Sequence, residues 1–211
     1  MLVTRILVVF DTRYGSTMNL AFHVAEGVKA VEGAEPVTRR VADGAGVEEI
    51  VQDNERRERV MAQLEPIREV THDDLRQADG IICGSPTRLG SMTAAMKAFW
   101  DGTGPLWAKG ELAGRVGAAF STTSTPHGGN ETTLFSLIVP MMHHGMLIVA
   151  PGYIHPASWH ASSPYGLTWV AGPGSDHDPD EATCRLARDL GRRVAAVATR
   201  LAGREAIHEV R

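Results

Sequence analysis

The sequence predicts an α/β protein: five strands in one parallel sheet, doubly wound, with helices on both faces in three layers. Three observations carry that reading. Short β-rich runs recur along the chain, segments of helical period separate them, and the first run is apolar from end to end, as a strand buried on both faces must be. Arg5 to Phe10 is that first strand. Thr17 to Val31 follows as a helix, with Leu20, Val24, Val28 and Val31 on one stripe and Gly33 closing it. Val37 to Val41 is a short second strand, and the amphipathic stretch Asp73 to Ala78 precedes a third, Gly80 to Cys83, centred on Ile81 and Ile82. Met92 to Trp100 reads as a helix, Val116 to Phe120 as the fourth strand, Glu131 to His144 as a helix and Met146 to Ala150 as the fifth strand. The long helix Asp180 to Leu201 ends the pattern. Strands and helices alternating at this spacing are what a parallel sheet with helical crossovers requires.

One domain is expected over residues 1–211, a length that supports a sizeable core but not two complete ones. Two segments exceed a minimal five-strand unit. Residues 42–71 form an insertion whose charge run, Asp53 to Arg59, reads as a solvated helix or excursion. Residues 152–179 form an extended loop rich in Gly, Pro, Ser and His, yet it carries Trp159 and Trp169, which belong packed over something.

Composition excludes several classes. Hydrophobic residues at 43% and charged residues at 22% argue against disorder, a collagen repeat and a coiled coil. A net charge of −4 gives no footprint for nucleic acid. Cys83 and Cys184 lie far apart, which builds neither a disulfide framework nor a zinc ribbon and suits a reducing cytoplasm. The apolar run Ile6 to Phe10 is too short for a signal-peptide core, and no run of eighteen apolar residues predicts a membrane span. His143 and His144 are adjacent on a helix, about 100° apart, so they cannot easily share one ion; no metal site is expected. There is no G-x-S-x-G elbow for a serine hydrolase.

In a doubly wound sheet the ligand sits beyond the carboxyl ends of the strands, which directs attention to three loops. After the first strand, Asp11 to Thr17 sets hydroxyls and the Gly15 backbone at a helix start, where unpaired amides and the helix dipole suit a phosphate. A plain N-cap is the competing reading. The loop has no Walker lysine and no G-x-G-x-x-G, so neither nucleoside triphosphates nor the usual dinucleotide fingerprint is indicated. After the third strand, Gly84 to Gly90 brackets Thr87 and Arg88 with two glycines and Pro86, as backbone that must approach a flat ligand would need. After the fourth strand, Ser121 to Gly129 offers several hydroxyl and amide donors to a polar ring edge, or else is simply a flexible loop. Cys83, ending a strand, reads as core.

Thr12-x-Tyr14-Gly15, Gly84 to Arg88, Leu106-Trp107, Ser121 to Gly129 followed by Glu131-Thr132-Thr133, His143 to Met146, and Pro164-Tyr165-Gly166 together resemble the WrbA family of NAD(P)H:quinone oxidoreductases. The resemblance covers nearly the whole chain, with the motifs in family order. It implies a flavodoxin-like fold, non-covalent FMN, NADH or NADPH as co-substrate, a quinone acceptor and a homotetramer, or failing that a homodimer. It further implies that Thr12, Arg13, Tyr14, Gly15, Ser16 and Thr17 hold the FMN phosphate, and that Pro86, Thr87, Arg88 and Leu89 lie along the ring. Thr122, Thr123, Ser124, Thr125, Pro126 and His127 would face the pyrimidine edge, and His143 would be a further contact. His127 and His143 become candidate stabilisers of the flavin, with Tyr14 and Trp107 placed toward the substrates. The chain departs from the family where Leu89 stands in place of a frequent Phe, where Arg13 replaces an uncharged residue and so faces either phosphate or solvent, and over Ile154 to Ser163.

The function expected from the resemblance is a ping-pong transfer of two electrons from NAD(P)H to a quinone, with flavin rather than a side chain as the reactive group. Two alternatives belong to other classes. A flavodoxin-type one-electron carrier would normally show a strongly acidic docking face, and a regulatory binding protein acting on DNA would need a basic surface.

Overall fold

The computed structural model describes residues 3–43, 54–175 and 177–202. β1 (Thr4–Phe10) leads into α1 (Ser16–Lys29), then β2 (Ala34–Arg40), α2 (Asn54–Leu64), α3 (His72–Gln77) and β3 (Gly80–Pro86). There follow α4 (Ala94–Gly102), α5 (Gly104–Trp107), β4 (Val116–Thr123), α6 (Asn130–His143) and β5 (Leu147–Ile148). The described chain ends with α7 (Ser158–Ala161), β6 (Leu167–Val170) and α8 (Glu181–Leu201). The strands are all parallel in the order β2-β1-β3-β4-β5. The chain steps from β1 outward to β2 and then crosses back to β3, so the crevice above β1 and β3 is the topological switch point.

Because successive residues of a strand face opposite sides, the sheet separates two cores. Ile6, Val8, Phe10, Ile82 and Phe120 pack under α1 and α8. Leu7, Val9, Ile81, Cys83 and Ala119 pack under α3, α4 and α6. Burial pushes the Cys83 thiol well above its ordinary range, which fits a packing role.

Two differences from the sequence reading concern strands. β3 runs on to Pro86 and β4 to Thr123, because Ser85 pairs with Ser121 and Pro86 with Thr122 in the same ladder despite their polarity. The sheet also has six strands among the described residues, not five. The fifth strand shrinks to Leu147–Ile148, beside Val116 and Gly117, and β6 continues the same edge of β4 opposite Phe120 to Thr123. β6 is four residues long and lies inside the Gly- and Pro-rich loop, so its local composition conceals it. The insertion at 42–71 lies partly outside the described residues; its described part contains α2, and α3 begins just after it.

α1 and α8 touch backbone to backbone. A Cβ on Gly27 would stand 1.9 Å from the Arg188 carbonyl oxygen, and one on Gly191 would stand 2.0 Å from the Val24 carbonyl oxygen. Either helix alone tolerates alanine, so these glycines belong to the crossing and not to the helices. Gly191→Ala is therefore expected to lower stability by about 3 kcal/mol, the upper end for an overpacked core, with a matching drop in urea midpoint.

At the other end of the sheet His144 caps α6 beneath α4. Its Nε2 lies 2.8 Å from Thr103 Oγ1, whose hydroxyl donates to the Trp100 carbonyl and therefore receives the imidazole proton. Nδ1 is buried with no partner among the described residues. Burial, with the neighbouring His143, lowers the His144 pKa. Protonation is thus easier in the unfolded chain, so this contribution to stability is complete above the unfolded value of about 6.5 and is lost as pH falls below it. Melting temperature should fall between pH 7 and pH 5, and His144→Gln, which keeps a donor toward Thr103, should make that fall shallower.

Candidate functional site

The cleft at the switch point is built by the three loops singled out in the sequence, plus one residue from beyond β6. Thr12, Arg13, Tyr14, Ser16 and Thr17 line it from the first loop, and Pro86, Thr87 and Arg88 from the second. Thr122, Thr123 and Ser124 line it from the third, and Ser175 completes the wall. Its volume is about 170 Å³.

The first loop ends in Gly15, held at φ +91°, a left-handed conformation that glycine adopts without strain. No side chain caps α1, which leaves the amides of its first turn facing the cleft with the positive end of the helix dipole. The Gly15 amide is the exception, since it donates to Thr12 Oγ1 at 3.1 Å. Thr17 Oγ1 lies 2.8 Å from Thr122 Oγ1, joining the first and third loops across the floor. Ser16 Oγ donates to the Ser175 carbonyl at 2.9 Å, and Ser124 Oγ lies 3.2 Å from Ser175 Oγ. A cluster of hydroxyls at an uncapped helix start has the chemistry that suits an anionic oxygen.

Arg13 takes neither course that the sequence left open in simple form. It is 5% exposed, and its Nη1 donates to Asp11 Oδ1 at 2.9 Å and approaches Asp43 Oδ1 at 3.4 Å, while the residue still lines the cleft. Pointing to solvent is thereby excluded, and the pairing with buried Asp11 offsets the cost of desolvating both charges. Arg88 lies nearby, and burial together with the Arg13 guanidinium holds its pKa below the ordinary arginine value. It remains a cation at neutral pH, close to a second one, in a site short of counter-charge.

The second and third loops are tied to each other. The Thr87 amide donates to the Thr122 carbonyl at 2.9 Å, Thr87 Oγ1 donates to the Gly128 carbonyl at 3.0 Å, and Thr133 Oγ1 donates to Thr87 Oγ1 at 2.9 Å. Gly129 lies so near Gly90 that a Cβ there would stand 2.6 Å from the Gly90 Cα. Between them Arg88 and Ser91 exchange both backbone hydrogen bonds, a tight turn that forces Leu89 to φ +51° and leaves it wholly exposed. A branched residue in a left-handed conformation with no burial in return is strain of the kind held at binding sites.

Several expected positions stand elsewhere. Thr125, Pro126 and His127 are exposed at the tip of the third loop and do not line the cleft. His143 ends α6 and Trp107 ends α5; both are exposed, Trp107 by 57%, and neither lines the cleft of its own chain. Other contributors were not foreseen. Arg57 of α2, inside the charge run read as solvated, reaches the Thr12 and Arg13 carbonyls at 3.5 Å and pairs with Asp43. Val60, one turn on, is buried, with its methyl 3.3 Å from where a Gly15 Cβ would be. Val60 in a charged stretch was the available signal. Ser175 offered none, as a serine in a Gly-rich loop has no pattern to mark it. Of the two loop tryptophans, Trp169 packs on the α1/α8 core, while Trp159 stays 66% exposed and stacks on Tyr153 with centroids 4.8 Å apart. Among the described residues no group of three His, Cys, Asp or Glu side chains is arranged to hold a metal ion.

Comparison with known proteins agrees with this geometry. A family model described as NADPH-dependent FMN reductase matches residues 4–161. The NAD(P)H dehydrogenase (quinone) of Chromohalobacter salexigens is 37% identical over 209 residues, covering 95% of this chain and all of its own. That of Geotalea daltonii is 39% identical over 208 residues, covering 93% of this chain and 98% of its own. Among solved structures, a flavodoxin, WrbA-like protein from Agrobacterium tumefaciens superposes with a TM-score of 0.66 at 24% identity, covering 93% of this chain and 98% of that one. A flavodoxin from the domain Archaea gives 0.62 at 18% identity, over 93% and 99%; both likenesses speak to the fold, which is flavodoxin-like. The match to the family model over most of the chain, with two relatives above a third identical end to end, establishes that this protein belongs to the NADPH-dependent FMN reductase family.

Proposed function

We propose that this protein is an FMN-dependent NAD(P)H:quinone oxidoreductase, in which one domain carries the whole cofactor cleft. The observation that carries the reading is the uncapped start of α1, opening on a cleft walled by hydroxyls at the switch point, in a chain whose full-length relatives are named NAD(P)H dehydrogenase (quinone). The cleft volume, about 170 Å³, suits the phosphate and polyol end of FMN, with the flat ring left to the exposed loop tips.

On this reading Thr12, Tyr14, Gly15, Ser16 and Thr17 hold the phosphate, with Arg13 beneath them as buried positive charge. Pro86, Thr87, Arg88 and Leu89 lie along the ring, and the strain at Leu89 is the cost of presenting that turn to it. Thr122, Thr123 and Ser124 offer donors to the ring's polar edge, with Thr125, Pro126 and His127 at the outer end. FMN, when bound, supplies the capacity to accept a hydride and to give up two electrons. The protein's part is electrostatic: Arg88, Arg13 and the oriented donors favour negative charge developing in the cleft. Tyr14 borders the space where NAD(P)H and quinone follow one another.

We place this enzyme in a homotetramer, or at least a homodimer, in the cytoplasm. Phe135, Val139 and Met142 form an exposed apolar stripe on α6, with Tyr165 against Phe135 at 4.8 Å. A stripe of that kind on a surface helix is an association face. Because His143 and Trp107 face away from their own cleft, their contribution to a flavin site is to a neighbour's. No described helix is long and apolar enough to cross a membrane, and both cysteines are free.

The functional test is direct. The purified protein titrated with FMN should turn yellow, lose that colour with NADH or NADPH and regain it with benzoquinone, with parallel double-reciprocal lines; intersecting lines would overturn the one-site exchange. Gly15→Val should cost about a hundredfold in FMN affinity with the circular dichroism unchanged, since it loads a left-handed position and presses on Val60. Unchanged affinity would remove the phosphate assignment. Val139→Glu should shift light scattering toward smaller species and weaken activity more than FMN binding; an active monomer of normal rate would refute the shared site.

A further inference from the structure

A second cavity, larger than the cleft and sharing no lining residue with it, lies along α8 against β6, beneath the excursion that joins β5 to β6. Its volume is about 590 Å³, within the range of small-molecule sites. The floor is core: Leu167, Leu186 and Leu190 are buried, and Val197 lies beside them. Ile154, 71% exposed, forms the lip on the excursion side.

On the α8 wall the charged groups are mostly of one sign, while His155, whose Nδ1 accepts from the Ala157 amide, lines the excursion side. Arg192, Arg193 and Arg200 line it from α8, against a single carboxylate, Asp189, already paired with Arg192. Arg193 and Arg200 have no hydrogen-bond or ion-pair partner among the described residues. They lie seven residues apart, two turns and about 10 Å along the helix, with Ala196 and Val197 between them. The hydroxyls nearby are committed: Ser158 donates to the His155 carbonyl at 2.6 Å, and Ser162 donates to the Gly166 carbonyl and accepts from the Thr168 amide. A sugar or nucleoside would find no free hydroxyl donor there, and an organic cation would meet three guanidinium groups. The chemistry that satisfies this wall is an apolar body ending in a carboxylate or similar anion, which a guanidinium fork binds through two parallel hydrogen bonds.

We propose that this cavity is a binding site for a small amphipathic organic anion, its apolar body on Leu190, Leu167 and Val197 and its head on Arg193 or Arg200. The site is separate from the flavin cleft and does not depend on what is bound there.

Calorimetric titration of the full-length, FMN-loaded protein with decanoate, decylammonium and decanol tests this. One decanoate per chain is expected, with decylammonium and decanol each weaker by at least about tenfold. The double variant Arg193→Gln, Arg200→Gln should lose at least about tenfold in decanoate affinity while its flavin absorbance and melting temperature stay as they were. Val197→Phe, which fills the cavity without touching charge, should weaken all three ligands. No decanoate binding, several decanoates per chain, equal binding of decylammonium, or unchanged affinity in either variant would overturn the proposal.

Discussion

The molecule depends on one level in its sheet, where Phe10, Gly84 and Phe120 stand side by side in register. The Phe120 ring fills the space where a Gly84 side chain would be, 2.0 Å from the position of its Cβ. One residue later all three strands turn polar together, at Asp11, Ser85 and Ser121. This seals the apolar core and starts the polar cleft at a common height, so that loops from three distant parts of the chain share one floor. A bulkier residue than glycine at position 84 would push β3 and β4 apart and lose both the seal and the Thr87–Thr122 tie above it.

That seal works because the layer beneath it is held close. The glycine contacts between α1 and α8 fix the height of α1 against the sheet, and with it the height at which its first amides meet the cleft. Two constraints thus meet in one helix: its carboxyl half is clamped by α8, while its amino end is left without a side-chain cap. An N-terminal turn without a side-chain cap costs folding energy, which the phosphate of the proposed cofactor would return on binding.

Most of this was legible in the residues before any coordinates. The apolar run from Ile6 to Phe10 and the repeating helical stripes announced a parallel sheet, and the strand-end positions of the three polar loops announced that they would meet, as they do in one cleft. What escaped was tertiary. β6 has four residues whose strand state rests on pairing with β4, Arg57 and Val60 gain meaning only when α2 lies on the first loop, and Ser175 reaches the cleft through contact alone. The outward placement of Trp107 and His143 was equally beyond sequence, because a motif does not say which way a side chain at a helix end points. The name of the cofactor came from likeness, as no spacing of threonines and glycines spells FMN by itself.

β5 and β6 occupy successive stretches of a single edge, so the chain departs from β4 after Ile148 and rejoins the same strand at Leu167. An edge that is left and regained in this way does not register how long the detour was. Closing a longer loop costs only logarithmically more, so descendants of this chain can lengthen, shorten or exchange the detour while the strand beneath stays paired and the cleft stays intact. The detour is therefore where lineages of this fold are free to diverge, and a new surface can be tried there without putting the old chemistry at risk.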